Sequence, residues 1–432
     1  MKTIEQIAAE LRGYDPQALS ASQVSEFLAS LVEPVAQTQT VGVFEGLDRI
    51  LAEDVVSPIN VPPHDNSAMD GFAFAGRLLQ PGQALRLRVA GTAWAGSAWT
   101  GAVGAAECVK IMTGAVMPAG LDTVVPLEFV RSEGEDIVVP PDVVRPGDNR
   151  RLLGEDLMAG RPALLRGQAL GPAALGLVAS LGLPRVTVFR RLKVAYFSTG
   201  DEILSLGEAP REGAVYDSNR YTVFGLLSRM GIEVVDLGVI RDQPQALEAA
   251  FLRAASEADA IITSGGVSMG EADHTKAMMR QLGDVAFWRI AMRPGRPMAV
   301  GRIVHPGAGP RETARSAVLF GLPGNPVAVM VTFLAFVRPA LRRMMGAIAD
   351  EPVLLKARSA EALRKKPGRT EYQRGIVTRS PDGHLQVRTT GNQGSGVLRS
   401  MVEANGLIVL HHGQGNVAVG DEVDVMMFDG AV

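Results

Sequence analysis

Hydrophobic and polar positions recur with two different periods along this chain, and the change of period divides it. Val24, Phe27, Leu28 and Leu31 share one helical face behind Ser20 and Ser22, which suit a helix cap. Leu47, Ile50 and Leu51 predict a second helical piece. From residue 75 to 148 the period falls to two. Leu85–Ala90 alternates strictly, and Glu107–Met112 and Thr123–Val130 read as further strands of a small β domain. Ala173–Leu183 then predicts a buried helix. Residues 191–345 alternate strands with helices. Leu192–Phe197, Ile232–Leu237, Ala260–Thr263 and Val318–Phe320 are short apolar runs of the kind buried in parallel sheets. Asp217 stands where a helix cap belongs, and Pro244 opens a helix that runs to Glu257. Beyond residue 346 the pattern is β again, with a hairpin turn at Ser380–Gly383 and a last strand at Val423–Phe428.

This pattern predicts a multidomain α/β protein. Its centre is a three-layer α/β/α domain on a mostly parallel sheet, residues 189–345. Around it lie an N-terminal helical and linker domain (1–66 with 149–188), an inserted β domain (67–148) and a C-terminal β-barrel-like domain (346–432). A length of 432 residues agrees with about two to four domains. The net charge of −3 supplies no basic excess for a dedicated nucleic-acid binder. With one cysteine, Cys108, neither a disulfide nor a Cys-based zinc site forms within the chain. The N-terminus lacks an apolar signal core, and Ala173–Leu183 and Val327–Val337 are too short to span a bilayer. The expectation is a cytoplasmic protein with neither membrane nor nucleic-acid partners.

Candidate chemistry collects at the strand ends. Thr263-Ser264-Gly265-Gly266 follows an apolar strand, and Glu271, Asp273, His274 and Lys276 come directly after it. Paired glycines let a backbone approach an anion, and a helix starting near Ala272 points its amides there. The stretch reads as a site for a phosphorylated ligand with a divalent metal, or as an ordinary strand-to-helix turn. Other strands deliver Asp201 and Glu202, Asp242 and Asn325 to the same carboxyl edge, where open parallel sheets bind ligands. Arg289, Arg293 and Arg296 lie in a proline-stiffened loop ending at Pro297; guanidinium groups there suit an oxyanion. In Val61–Phe74, His64, Asp65, Asn66, Ser67 and Asp70 form either an Asx-rich turn or a site loop. Thr113-Gly114 is a turn or a ligand contact, and Asp156 sits among charges that pair with one another.

Taken together, Asp65–Ala73 (DNSAMDGFA), Lys110–Ala115 (KIMTGA), Gly154–Asp156, Ser198–Glu202 (STGDE), Tyr216–Arg220 (YDSNR), Ile240–Asp242, Ser264–Lys276, Gly321–Pro326 (GLPGNP) and Thr390–Ser395 (TGNQGS) resemble the molybdopterin molybdenumtransferase family. The resemblance spans nearly the whole chain in the family's order. It implies an enzyme that inserts molybdenum from molybdate into adenylylated molybdopterin and releases AMP, with Mg²⁺ as cation. It implies a homodimer whose sites form between subunits, with a molybdopterin adenylyltransferase and molybdoenzymes as further partners. On this resemblance Asp65, Thr113, Asp156, Glu202, Asp242 and Asp273 are catalytic positions, and Glu202, Asp242 and Asp273 hold the metal. Ser264, Gly265, Gly266, Asp217, Asn325, Arg374 and Ser395 bind substrate, and Arg289, Arg293, Arg296 and Pro297 receive molybdate. Many family members carry lysines in that last loop. The alternatives are a catalytically silent molybdopterin-binding scaffold and a molybdopterin adenylyltransferase.

Overall fold

The computed structural model describes residues 2–267, 274–306, 314–348 and 353–428. Its centre is a six-stranded sheet in the order Glu233–Ile240, Lys193–Thr199, Ala260–Ser264, Arg315–Leu322, Pro297–His305, Gly283–Arg289. The first four strands are parallel, and the last two add an antiparallel hairpin at one edge. Side chains alternate across the sheet. Val194, Tyr196, Ile262 and Phe320 enter one buried core, while Ala195, Phe197, Ile261 and Leu319 enter the other. Helix Pro244–Glu257 covers the second face, where Phe251 meets Phe197 edge-on at 5.1 Å. The expected parallel run is therefore present, with helices on both sides, because each strand is apolar on both faces.

Two short helices precede this domain, Ile4–Glu10 and Ala21–Leu31, each started by a capping box, Thr3 with Gln6 and Ser20 with Gln23. Their buried faces, including Phe27 and Leu31, join the first sheet core. The predicted helix around Leu47–Leu51 is absent. Phe44–Gly46 makes one 3₁₀ turn, Asp48 takes a left-handed φ of 59°, and Ile50 and Leu51 bridge to Ala169 and Val188. Pairing with residues distant in sequence outweighs the weak helical spacing there. Thr38–Gly42 pairs with Arg185–Phe189, Val55–Val56 with Pro162–Leu164, and Asn66–Ser67 with Arg150–Arg151. These ribbons enclose a core of their own that includes Leu51, Val178 and Val188. Helix Pro172–Ser180 belongs to this region, but Val178 is its one buried residue, so it is a surface helix rather than the buried one its composition predicts.

The insert is a six-stranded sheet from Gly71–Phe74 to Asp136–Val139. Cys108 lies within it, fully buried, and burial pushes its thiol up to about 12. A thiol so placed is inert in the native state. Thiol reagents are expected to label Cys108 only after denaturation, as mass spectrometry will read.

The C-terminal domain is a closed five-stranded barrel. Thr370–Arg379 pairs with Leu385–Thr389 and with Gly406–Leu410, and Leu354–Ser359 and Glu422–Met427 complete the ring. Met292–Arg293 attaches in parallel to Thr370–Glu371, which stitches the arginine loop to the barrel. A continuous helical rod from Pro326 to Met344 contains one π turn at Phe333–Val337, just ahead of Pro339, which offers no amide to the ordinary ladder. No helix among the described residues is long and apolar enough to cross a membrane.

Candidate active site

The strand order fixes where a ligand fits. From Lys193–Thr199 the chain crosses to one side, then returns to place Ala260–Ser264 on the other. The crevice of an open sheet opens at that reversal, beyond the carboxyl ends of these two strands. Those ends are Thr199-Gly200 and Ser264-Gly265-Gly266. Gly265 has φ +90° and Gly266 φ +64°. A Cβ at Gly265 would lie 2.5 Å from the Thr199 carbonyl, and one at Gly266 2.6 Å from the Thr275 side chain. The turn thus requires glycine for its conformation and its space. The Gly265 amide donates to the Leu322 carbonyl at 3.2 Å, so it serves the sheet, which corrects the expectation that it faces an anion. Beneath the turn the hydroxyls of Tyr196, Ser198 and Ser264 form a buried triangle with sides of 2.8, 2.7 and 3.1 Å.

A cleft of about 880 Å³ opens above this floor. One wall is acidic. Glu202 is exposed, Asp242 is half-buried and accepts from Thr275 Oγ1 at 3.5 Å, and Asp217 is buried at the start of helix Ser218–Arg229. Asp217 Oδ1 accepts the Arg220 amide at 3.1 Å, which is the predicted cap. Asn219 and Asn325 line the cleft beside it. The opposite wall is basic. Arg293 and Arg296 are exposed there, Pro297 is half-buried, and the barrel contributes Arg369 and Ser395. Arg369 is anchored by Glu371, whose Oε1 accepts from Nε at 2.8 Å and lies 2.7 Å from Nη2 in an ion pair; Glu371 itself is buried. The Ser395 carbonyl accepts the Val327 amide at 3.1 Å, which ties the barrel loop to the sheet domain.

Not every predicted residue lies here. Arg289 ends an antiparallel edge strand with an exposed side chain, outside the cleft lining, and its amide donates to Pro16. Arg374 is 1% exposed and sits behind the wall. Its Nε donates to Ser400 Oγ at 2.9 Å and its Nη2 to the Gly394 and Asn392 carbonyls at 3.0 and 3.3 Å. Burial, then the nearby Arg293 charge, lower its pKa to about 10, so it stays charged at neutral pH. Asp65, Thr113 and Asp156 lie among the ribbons and the insert, away from this cleft. Asp65 Oδ1 accepts the Leu153 amide at 2.7 Å and Oδ2 accepts Arg150 Nε at 2.9 Å. The Leu153 bond, then Arg150, hold its carboxyl below the usual range. Thr113 donates amide and hydroxyl to Asp70 Oδ1, at 2.6 and 2.7 Å. Asp156 is exposed, and its amide donates to Val61. Asp273, and Glu271 with it, lie outside the described residues.

Glu202 and Asp242 offer carboxylate oxygens only, a donor set that suits a hard cation such as Mg²⁺. No group of three or more His, Cys, Asp or Glu among the described residues is arranged to hold a metal. The reading of motifs did not find Tyr196, Arg369 or Glu371, and it took Asn219 only as a member of the YDSNR stretch. Tyr196 looks like one more apolar strand position, and Arg369 is one of several basic residues in its stretch.

A switch-point cleft at the carboxyl edge of a parallel sheet, walled on one side by a β-barrel, defines a multidomain α/β protein with a ligand-binding crevice. Three family models match the chain: "MoeA N-terminal region (domain I and II)" over residues 19–182, "Probable molybdopterin binding domain" over 195–343, and "MoeA C-terminal region (domain IV)" over 356–428. A molybdopterin molybdenumtransferase of Haemophilus influenzae is 40% identical over 406 residues, which cover 94% of this chain and 97% of that protein. One from Nostoc sp. is 33% identical, over 95% and 93% of the two chains. The crystal structure of the molybdopterin biosynthesis moeA protein from Pyrococcus horikoshii OT3 superposes with TM-score 0.80 at 25% identity, over 95% of this chain and 100% of that one. The chain belongs to the molybdopterin molybdenumtransferase family, the transferases of molybdenum cofactor biosynthesis.

Proposed function

We propose that this chain joins molybdenum to adenylylated molybdopterin in the switch-point cleft and releases AMP. The observation that carries the reading is the pairing of an acidic wall (Glu202, Asp217, Asp242) with a basic wall (Arg293, Arg296, Arg369) across one cleft. The arginines neutralise molybdate and hold it by bidentate hydrogen bonds. Arginine here keeps the charge that lysine supplies in many relatives. Glu202 and Asp242, with Asp273, would hold Mg²⁺, which when bound polarises the phosphoanhydride. Ser264 and the glycine turn support the pterin or its phosphate, and Asn325 and Ser395 complete the pocket. No nucleophilic triad is present among these residues, so the chain acts by positioning and electrostatics.

Asp65, Thr113 and Asp156 enter the reading through a homodimer. They do not line the cleft of their own chain, and a second subunit would bring them to it. The protein works in the cytoplasm, taking its substrate from an adenylyltransferase and passing the cofactor to molybdoenzymes. The test is AMP release from adenylylated molybdopterin with Mg²⁺, with and without molybdate, for the parent chain and Asp273→Ala. The expected result is molybdate-dependent release that the variant loses. Tight pterin binding without release in the parent would instead support a scaffold.

A further inference from the structure

The acidic wall holds a set of oxygens that the fold leaves without donors. Asp217 is 4% exposed, and with Oδ1 committed to its helix cap, Oδ2 has no partner. Asn219 is 8% exposed; its Nδ2 donates to the Gly324 carbonyl at 2.8 Å, and Oδ1 has no partner. Thr199, 4% exposed, has an unpartnered Oγ1. All three residues line the cleft. Ser198 and Ser264 line it too, and their triangle with Tyr196 matters here. Three hydroxyls have three protons for three contacts, so a closed triangle keeps every proton inside it. The two serines then show the cleft lone pairs. Apart from the Thr199 hydroxyl, which can donate or accept, this side of the cleft is therefore built of acceptors, and buried acceptors are costly until a donor arrives.

We infer that Asp217 and Asn219 read the 2-amino-4-oxopyrimidine edge of the pterin, a reading that deepens the function proposed above. That edge carries a ring N–H beside an exocyclic amino group, two adjacent donors that match a carboxyl and an amide oxygen. Adenine alternates its one amino donor with acceptor nitrogens and meets this wall badly. Molybdate belongs on the arginine wall for the opposite reason. The pterin ring thus lies against the start of helix Ser218–Arg229, with molybdate directed toward Arg293, Arg296 and Arg369.

The experiment titrates the full-length protein with 6-hydroxymethylpterin and with its 2-oxo analogue, following pteridine fluorescence. A site built to pair with an amino group rejects an analogue that lacks it, so the parent is expected to prefer the 2-amino compound roughly tenfold to hundredfold. Asp217→Asn and Asp217→Ser both preserve a helix cap, and both are expected to bring the preference to within about threefold while Tm stays near the parent's. Unchanged preference in both variants overturns the inference. Variants that weaken Mg²⁺ binding and leave the preference intact also overturn it, because the oxygens then serve a cation. The readout is binding, so a parent that fails to release AMP defeats the functional reading without touching this one.

Discussion

Replacing Arg293 and Arg296 together by alanine is expected to raise the molybdate concentration for half-maximal AMP release by roughly a hundredfold. Both side chains are exposed on the cleft's basic wall, and they are its main free charges, since Arg369 is paired with Glu371. A hundredfold change corresponds to about 2.7 kcal/mol. That is a modest demand on two cations beside an anion, even after solvent screening. Affinity for the 2-amino pteridine is expected to stay within about threefold, because the pterin edge meets the other wall. A double lysine variant keeps the charge and loses the planar fork, so it is expected to fall between the parent and the alanine pair. The measurement is the molybdate dependence of AMP release at two ionic strengths, with the alanine pair also losing most of the salt sensitivity. An unchanged molybdate dependence in the alanine pair would place the oxyanion elsewhere.

The two walls are held apart by contacts that do not involve a ligand. Glu371 anchors Arg369, Thr275 donates to Asp242, and the Arg220 amide holds one oxygen of Asp217. Met292–Arg293 pairs with the barrel edge, so the arginine loop is fixed by backbone hydrogen bonds. Charges fixed in this way need little rearrangement when a charged substrate arrives, and that is where an enzyme without a nucleophile finds its rate.

Periodic segments were legible from the chain alone. Pro244–Glu257 begins and ends where its proline and amphipathic spacing place it. The parallel strands are uniformly apolar, and the polar residues after them share one edge because parallel strands share one direction. Short ribbons were not legible. Val55–Val56 and Asn66–Ser67 are two residues long, too short to show a period, and their partners lie about a hundred residues on. The helix expected at Leu47–Leu51 failed for the same reason: its apolar residues satisfy bridges to Ala169 and Val188. In the site, Glu202, Asp217, Asp242, Ser264 and Asn325 were found as strand-end or cap residues. Tyr196 acts through Ser264, distant in sequence, and Arg369 reaches the cleft only because the barrel packs against the sheet domain, so no local pattern marks either.

Arg374→Ala is expected to cost about 3–5 kcal/mol of folding stability, because it opens a cavity and strips donors from one buried and two part-buried acceptors. Those acceptors are Ser400 Oγ and the carbonyls of Asn392 and Gly394, so the loss falls on the loop that carries Gln393 and Ser395 into the cleft. AMP release is therefore expected to drop more than tenfold even under conditions where the variant stays folded. Arg374→Lys delivers one ammonium where the guanidinium reached three acceptors, and is expected to lie between the two. The sign of the pH effect separates this positioning role from a titrating one. The folded-state pKa, lowered to about 10 from the ordinary guanidinium value, means that burial penalises the charged form. That penalty is fully present below the folded-state pKa and is relieved as pH rises above about 10. Between pH 7 and 9 the parent should show no stability change traceable to Arg374. Denaturant unfolding of both variants, paired with the AMP assay, checks the argument. An alanine variant that keeps its stability and loses only molybdate affinity would make Arg374 a direct substrate contact. A loss of both, partly restored by lysine, would leave it as the residue that sets the Ser395 loop.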